Sequence, residues 1–151
     1  MNETLLDKAF TNLETAEIIY QFRNGDEAKL NMVGYHLQQA VELCCKHYLE
    51  MNGVRYEKSH DITELLDRCE RETRKLPEQS DYIYEHSEMF TMWESKTRYI
   101  KNYILSDKKV ERALKEVKKF LEASRMKERT YELAENETSK SRRIRTKGKK
   151  L

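Results

Sequence analysis

The chain has 151 residues and a formal net charge of +2, with 37% charged residues, four glycines and one proline. This length suits one domain, and the scarcity of glycine and proline favours long helices over a turn-rich β-fold. No apolar run reaches the roughly 20 residues of a membrane span, and the N-terminus lacks a signal-peptide pattern. We therefore expect a cytoplasmic protein that does not enter a membrane.

The charge is divided unevenly along the chain. The segment 138–151 holds seven Lys and Arg residues and no acid, so residues 1–137 hold 22 basic and 27 acidic residues, a net charge of −5. We expect a helical bundle over 1–125, followed over 126–151 by a fraying helix and a basic, disordered tail. Such a tail can bind polyanions through its cations, or it can simply keep the protein in solution.

Apolar residues recur every three or four positions in five segments, which indicates amphipathic helices. The predicted helices cover residues 3–23, 27–52, 62–76, 80–104 and 107–123. Asp26 and Asp61 are suitable N-caps, and Asn24-Gly25 and Asn52-Gly53 are suitable stops. No segment shows the alternation of a β-strand. The pattern predicts an all-α protein, an antiparallel up-and-down bundle of four to five helices.

The cysteines and histidines do not form a metal-binding pattern. Cys44 and Cys45 are adjacent and Cys69 is alone, and an odd count argues against a disulfide framework. The chain has no C-x-x-C and no two histidines four residues apart. We expect buried free thiols, no metal site and no cofactor.

The stretch from Gly34 to Leu66 holds the most specific motif. It contains Gln38-Gln39-Ala40-Val41-Glu42, then Lys46, then Ser59-His60-Asp61 and Leu65-Leu66. This order and spacing resemble the HEPN family, as does Arg98-Tyr99 late in the predicted fourth helix. The resemblance covers about residues 2–123. It implies a bundle of four or five helices, usually a homodimer, often encoded beside a minimal nucleotidyltransferase as partner.

The resemblance also raises the question of ribonuclease activity. Many HEPN proteins are metal-independent ribonucleases, including toxins of toxin–antitoxin pairs, and carry an R-x(4–6)-H motif on the fourth helix. After Arg98, the positions for that histidine hold Tyr103, Ile104 and Leu105. None of these side chains transfers a proton readily near neutral pH. We therefore favour a protein without catalytic activity, and Arg98 and Tyr103 would be catalytic residues only if it were a ribonuclease.

One alternative keeps a catalytic role for the residues of the predicted fourth helix. A divergent ribonuclease toxin would use Arg98, Tyr99 and Asn102 or Tyr103 without the usual histidine. The chain does contain one R-x(4)-H match elsewhere, which runs from Arg55 to His60 in the linker after the second helix. That position is wrong for the family's catalytic pair, and we expect His60 to anchor the linker by a hydrogen bond beside the Asp61 cap.

The preferred interpretation is a non-catalytic, dimeric HEPN module that binds a nucleotide, RNA or a partner nucleotidyltransferase. The candidate ligand-binding residues are His36, Gln39 and Lys46 on the second helix and Arg98, Tyr99, Lys101 and Asn102 on the fourth. If these two sets of residues face each other in the fold, Arg98 can hold a phosphate and Tyr99 can stack on a base. If they do not, Lys46 pairs with Glu50 on a solvated face, and the protein is a purely structural helical adaptor. Trp93 and Ile100 are assigned to the core side of the fourth helix.

Overall fold

Six helices form the fold in the computed structural model, which describes residues 2–56 and 58–148. They are α1 (Leu5–Gln21), α2 (Glu27–Met51), α3 (Ile62–Thr73), α4 (Asp81–Glu85), α5 (Ser87–Tyr99) and α6 (Asp107–Gly148). No β-strand occurs among these described residues, and the all-α prediction is confirmed. Across the same residues, no helix combines the length and apolar character needed to cross a membrane.

The first three helices begin at side-chain caps. Asp26 and Asp61 start α2 and α3 by accepting backbone N–H groups, as the sequence predicted. Thr4 and Asp7 form a reciprocal capping box at α1. The Thr4 N–H donates to the Asp7 carboxylate at 3.0 Å, and the Asp7 N–H donates to the Thr4 hydroxyl at 3.1 Å. These caps set where each helix enters the bundle.

Two polar contacts fix α6 against α1 in an antiparallel orientation. Near the start of α6, the Tyr20 hydroxyl donates to Asp107 Oδ1 at 2.8 Å. About five turns further along α6, Arg125 Nη2 donates to Asp7 Oδ1 at 2.9 Å. Between the helices lies a core with side chains from all six helices, including Ile83 of the short α4. The long helix α2 is buried along most of its length and forms the centre of the bundle.

The three cysteines belong to this core. Cys44, Cys45 and Cys69 are buried and free, as expected. Burial raises the pKa of Cys44 and of Cys69 to about 12. These thiols are therefore protonated near neutral pH and act as small apolar side chains.

The predicted fourth helix, 80–104, is not one continuous helix. His86 leaves helical geometry, with φ −110° and ψ 20°, and separates α4 from α5. The second piece ends at Tyr99 because Ile100 is extended and Asn102 adopts a left-handed φ of 59°. Asparagine tolerates that conformation better than most residues. Neither interruption is marked by a glycine or a proline. A prediction based on apolar periodicity therefore made the helix too long.

The end of α5 decides which side chains reach the core. Trp93 is buried, as predicted, but Ile100 is half-exposed, so its assignment to the core is wrong. Leu105 is buried instead. Gly34 of α2 makes room for this arrangement, because a Cβ there would lie 2.5 Å from Leu105 Cδ1 and 3.4 Å from Trp93 Cδ2. The missing side chain permits the close approach of α2 to α5 and the following loop.

The last helix is longer than predicted. The polar run after Ala123 predicted fraying, whereas the backbone is helical as far as Gly148. The side chains of residues 132–138 are exposed. The basic residues at 149 and 150 lie outside the described residues. The division into a bundle over 1–125 and a separate tail stays a prediction.

Replacing Gly34 with valine should destabilise the fold. The new side chain would overlap Leu105, and overpacking of a core typically costs about 1–3 kcal/mol in the free energy of unfolding. Met32→Val, at an exposed position of the same helix, is the control and should change that free energy by less than about 0.5 kcal/mol. Urea denaturation measures both, and equal effects would contradict this role of Gly34.

Candidate functional site

A buried carboxylate lies on the polar face of α2. Glu42 is 4% exposed, and both of its oxygens are hydrogen-bonded. Gln38 Nε2 donates to Oε1 at 3.0 Å, and Lys46 Nζ donates to Oε2 at 3.1 Å. His60 Nδ1 lies 2.7 Å from Oε1, a hydrogen-bonding distance. The lysine supplies the opposite charge that a buried carboxylate requires.

This network ties the linker after α2 to the bundle. The His60 side chain is 61% exposed, but its Nδ1 is held by Glu42. The predicted anchoring by a hydrogen bond is confirmed, and the partner comes from α2. Lys46 pairs with Glu42 rather than with Glu50, so the Lys46–Glu50 pair is not formed. The reason is that Lys46 lies four residues from both carboxylates, and only that of Glu42 is buried and in need of a cation.

Four side chains at helical spacing extend this polar face along α2. We call them the α2 polar stripe: Tyr35, Gln39, Glu42 and Lys46. Gln39 Nε2 donates to Gln38 Oε1 at 2.7 Å, which links the stripe to the buried network. At its C-terminal end, Lys46 Nζ lies 5.8 Å from the centre of the Tyr56 ring.

The end of α5 places an arginine at the other end of the stripe. The Arg98 guanidinium carbon lies 5.0 Å from the centre of the Tyr35 ring and 4.8 Å from that of Tyr99, both within cation–π range. Arg98 Nε donates to the Glu94 carbonyl oxygen at 2.8 Å, and its Nη2 pairs with the Glu94 carboxylate. Tyr99 is 72% exposed. We call Tyr35, Arg98 and Tyr99 the α5 cluster.

The structure brings some of the predicted residues together. Arg98 lies near Tyr99 and also near Tyr35, which shares the stripe with Gln39 and Lys46. The candidate residues of α2 and α5 therefore come together at one end of the stripe. The contact is made through Tyr35, which the sequence interpretation did not include.

Other predicted residues lie elsewhere. His36 is directed towards α1, where its Nδ1 lies 2.9 Å from Asn12 Oδ1, and burial lowers its pKa. Lys101 and Asn102 are exposed in the turn that follows α5. Tyr103 is half-buried and packs against the core, while its carbonyl oxygen accepts a hydrogen bond from Asn31 at 2.7 Å.

The sequence interpretation also missed the buried part of the network. It treated Gln38 and Glu42 as carriers of the family resemblance and assigned them no place in the site. The available signal was the repeated spacing of four residues from Gln38 to Glu42 to Lys46. On a helix face that leads into the core, this spacing indicates polar side chains that satisfy one another.

The α5 cluster carries side chains that could contact a ligand. Arg98 and Tyr99 can offer a guanidinium fork and an exposed ring, groups that suit a phosphate and a base. In the part of the chain that the structure describes, no three His, Cys, Asp or Glu side chains are grouped so as to hold a metal ion.

Replacing Glu42 with alanine should destabilise the fold strongly. The change leaves the mostly buried Lys46 ammonium and the buried Gln38 amide without their partner, at a cost of about 3 kcal/mol in the free energy of unfolding. Glu111→Ala, which breaks the exposed pair with Lys115, should cost less than about 0.5 kcal/mol. Urea denaturation measures both changes. A loss below about 1 kcal/mol for Glu42→Ala would contradict the central role of this carboxylate.

Comparison with known proteins identifies the family. The family model described as HEPN domain matches residues 2–129. No match was found among curated proteins or among solved structures. The matched range includes α1 to α5, the Glu42 network, the α5 cluster and the first half of α6. The chain therefore belongs to the HEPN domain family.

Proposed function

We propose that this HEPN protein is a non-catalytic, dimeric module that binds a nucleotide or RNA at the α5 cluster. The main supporting observation is that the Arg98 guanidinium lies within cation–π range of two tyrosine rings, one of them on a side chain that is 72% exposed. An exposed ring can stack on a base, and the adjacent guanidinium can contact the phosphate of the same nucleotide. Lys101 and Gln39 would extend the contact along either side.

The proposed ligand contact has to share Arg98 with Glu94. This pair leaves the arginine about one-third exposed, so a phosphate can reach the guanidinium without opening the core. The nearby carboxylate lowers the gain from each phosphate contact, and we therefore expect moderate, strongly salt-dependent affinity.

The absence of catalysis is proposed from the end of α5. Proton transfer by a ribonuclease histidine requires that residue at hydrogen-bonding distance from the reacting group. The chain carries Tyr103, Ile104 and Leu105 at the family's histidine positions, and all three lie beyond the last turn of α5. Tyr103 packs against the core, which makes it a poor replacement.

The dimer is proposed from exposed apolar side chains beside the cluster. Ile100 and Ile104, which follow the cluster, are 49% and 59% exposed. Such a group indicates a contact surface, and a second copy covering it would place two α5 clusters near one cleft. A nucleotidyltransferase partner in a two-component or toxin–antitoxin-like system would be a further occupant of this surface.

A structural helical adaptor is the second candidate, and one observation favours it. The two cations of the site, Arg98 and Lys46, already pair with Glu94 and Glu42 of the same chain. If those pairs are the whole role of these residues, nucleotides and RNA will not bind there.

Removing the cluster should weaken RNA binding. We expect Arg98→Ala and Tyr99→Ala each to raise the Kd for a labelled single-stranded RNA at least about fivefold, since base stacking is worth about 1–3 kcal/mol. Fluorescence anisotropy at two salt concentrations measures this. Arg112→Ala is the matched control, because Arg112 also pairs with a glutamate four residues away and lies near a tyrosine ring.

The same RNA-binding experiment distinguishes the proposed function from the adaptor and the ribonuclease. Equal binding by the wild type and both cluster variants would contradict the proposed site, and no binding at all would favour the adaptor. RNA cleavage that Arg98→Ala abolishes would contradict the non-catalytic assignment. The mass of the wild type in solution, from light scattering, should be twice that of one chain.

A further inference from the structure

The α2 polar stripe leads from the α5 cluster to two further side chains that the proposed site does not use. The linker between α2 and α3 places Tyr56 and His60 beside the C-terminal end of the stripe. Lys46 Nζ lies 5.8 Å from the centre of the Tyr56 ring, and His60 Nδ1 lies 2.7 Å from Glu42 Oε1. We call Tyr56 and His60 the linker pair.

The His60 ring is held at one nitrogen and open to solvent. Glu42 holds Nδ1, while the His60 side chain is 61% exposed. Nε2 is therefore the ring nitrogen that remains for a ligand, and it accepts or donates a hydrogen bond according to its protonation. Because Glu42 already orients the ring, binding at Nε2 costs less side-chain ordering than binding to a free histidine.

Tyr56 adds an uncharged aromatic face. The side chain is half-buried, and burial together with the nearby Glu50 carboxylate raises the pKa of Tyr56. The hydroxyl therefore stays protonated near neutral pH, and the ring can stack on a base of any identity. Arg55 and Lys58 are exposed in the same linker, and their charge suits the phosphates of a nucleic acid.

The distance between the two ends of the stripe suits a short single strand. Tyr35 and Lys46 are eleven residues apart, a rise of about 16 Å along α2. A stacked strand covers this distance in about five steps of about 3.4 Å each. The one carboxylate of the stripe, Glu42, is buried and hydrogen-bonded. The stripe itself therefore presents no exposed negative charge to a phosphate chain.

We propose that the ligand is a single-stranded RNA of at least about six nucleotides, which runs from the α5 cluster along the α2 polar stripe to the linker pair. This inference rests on the proposed function and names an RNA strand, rather than a free nucleotide, as its ligand. One base stacks on Tyr99 and another on Tyr56, with His60 Nε2 in contact with the strand beside it. Because the two contacts share one strand, the second becomes intramolecular and strengthens binding.

The test compares an adenylate dinucleotide with an adenylate octanucleotide on the full ¹⁵N-labelled chain. The dinucleotide is long enough for the α5 cluster but too short to reach the linker pair as well. It should shift the backbone amide signals of residues 98–102. The octanucleotide should shift the same signals and, in addition, those of Tyr56, Ser59 and His60.

Two variants alter the linker pair and retain its packing. Tyr56→Leu keeps an apolar side chain, and His60→Asn keeps an N–H donor for Glu42 but has no counterpart of Nε2. The Kd for the octanucleotide should rise at least about fivefold for Tyr56→Leu and about threefold for His60→Asn. Both variants should bind the dinucleotide as the wild type does, which also shows that they are folded. Tyr84→Leu, at an exposed position of α4, is the control and should change neither Kd.

The two RNAs separate a failure of this path from a failure of the proposed function. The path is overturned if the octanucleotide does not shift the linker signals, or if neither linker variant weakens octanucleotide binding selectively. In that case the α5 cluster stands as the binding site, provided that Arg98→Ala weakens the binding of both RNAs. If neither RNA binds, or if Arg98→Ala binds both as tightly as the wild type, the proposed function fails and the path fails with it.

Discussion

The buried Glu42 carboxylate is the interaction on which the architecture of the site depends. A carboxylate that is 4% exposed is stable only if its charge and lone pairs are met, and Gln38, Lys46 and His60 meet them. Two of these partners come from α2 itself, and the third comes from the linker that leads into α3. One carboxylate thus holds the polar face of α2 in place and fixes the path of the chain to the next helix.

A second constraint comes from the absence of a side chain at Gly34. Because α2 approaches Trp93 and Leu105 closely there, α5 lies against α2, and its last turn brings Arg98 beside Tyr35. The buried network and this close helix contact together produce one surface. Along it, polar side chains run from the Lys46 end of α2 to an exposed tyrosine at the end of α5. The proposed recognition of a nucleotide or RNA follows from these two features.

Much of this fold could be predicted from the sequence, because helix caps and apolar periodicity are local signals. Asp26 and Asp61 begin helices as predicted, and Trp93 is buried. The end of α5 could not be predicted, since Asn102 turns the chain without a glycine or proline. The partner of Lys46 was also unpredictable, because Glu42 and Glu50 are equally spaced from it and only burial distinguishes them. The meeting of Arg98 with Tyr35 depends on the packing of two helices, which periodicity does not report.

We propose that RNA binds to the α5 cluster and the adjoining α2 polar stripe. An RNA titration of the ¹⁵N-labelled protein, followed through its backbone amide signals, is the decisive measurement. We expect the largest shifts at Tyr35, Gln39 and residues 98–102, with little change around His47. Shifts confined to α6 beyond residue 130, or no shifts at RNA concentrations far above those used for binding, would contradict it.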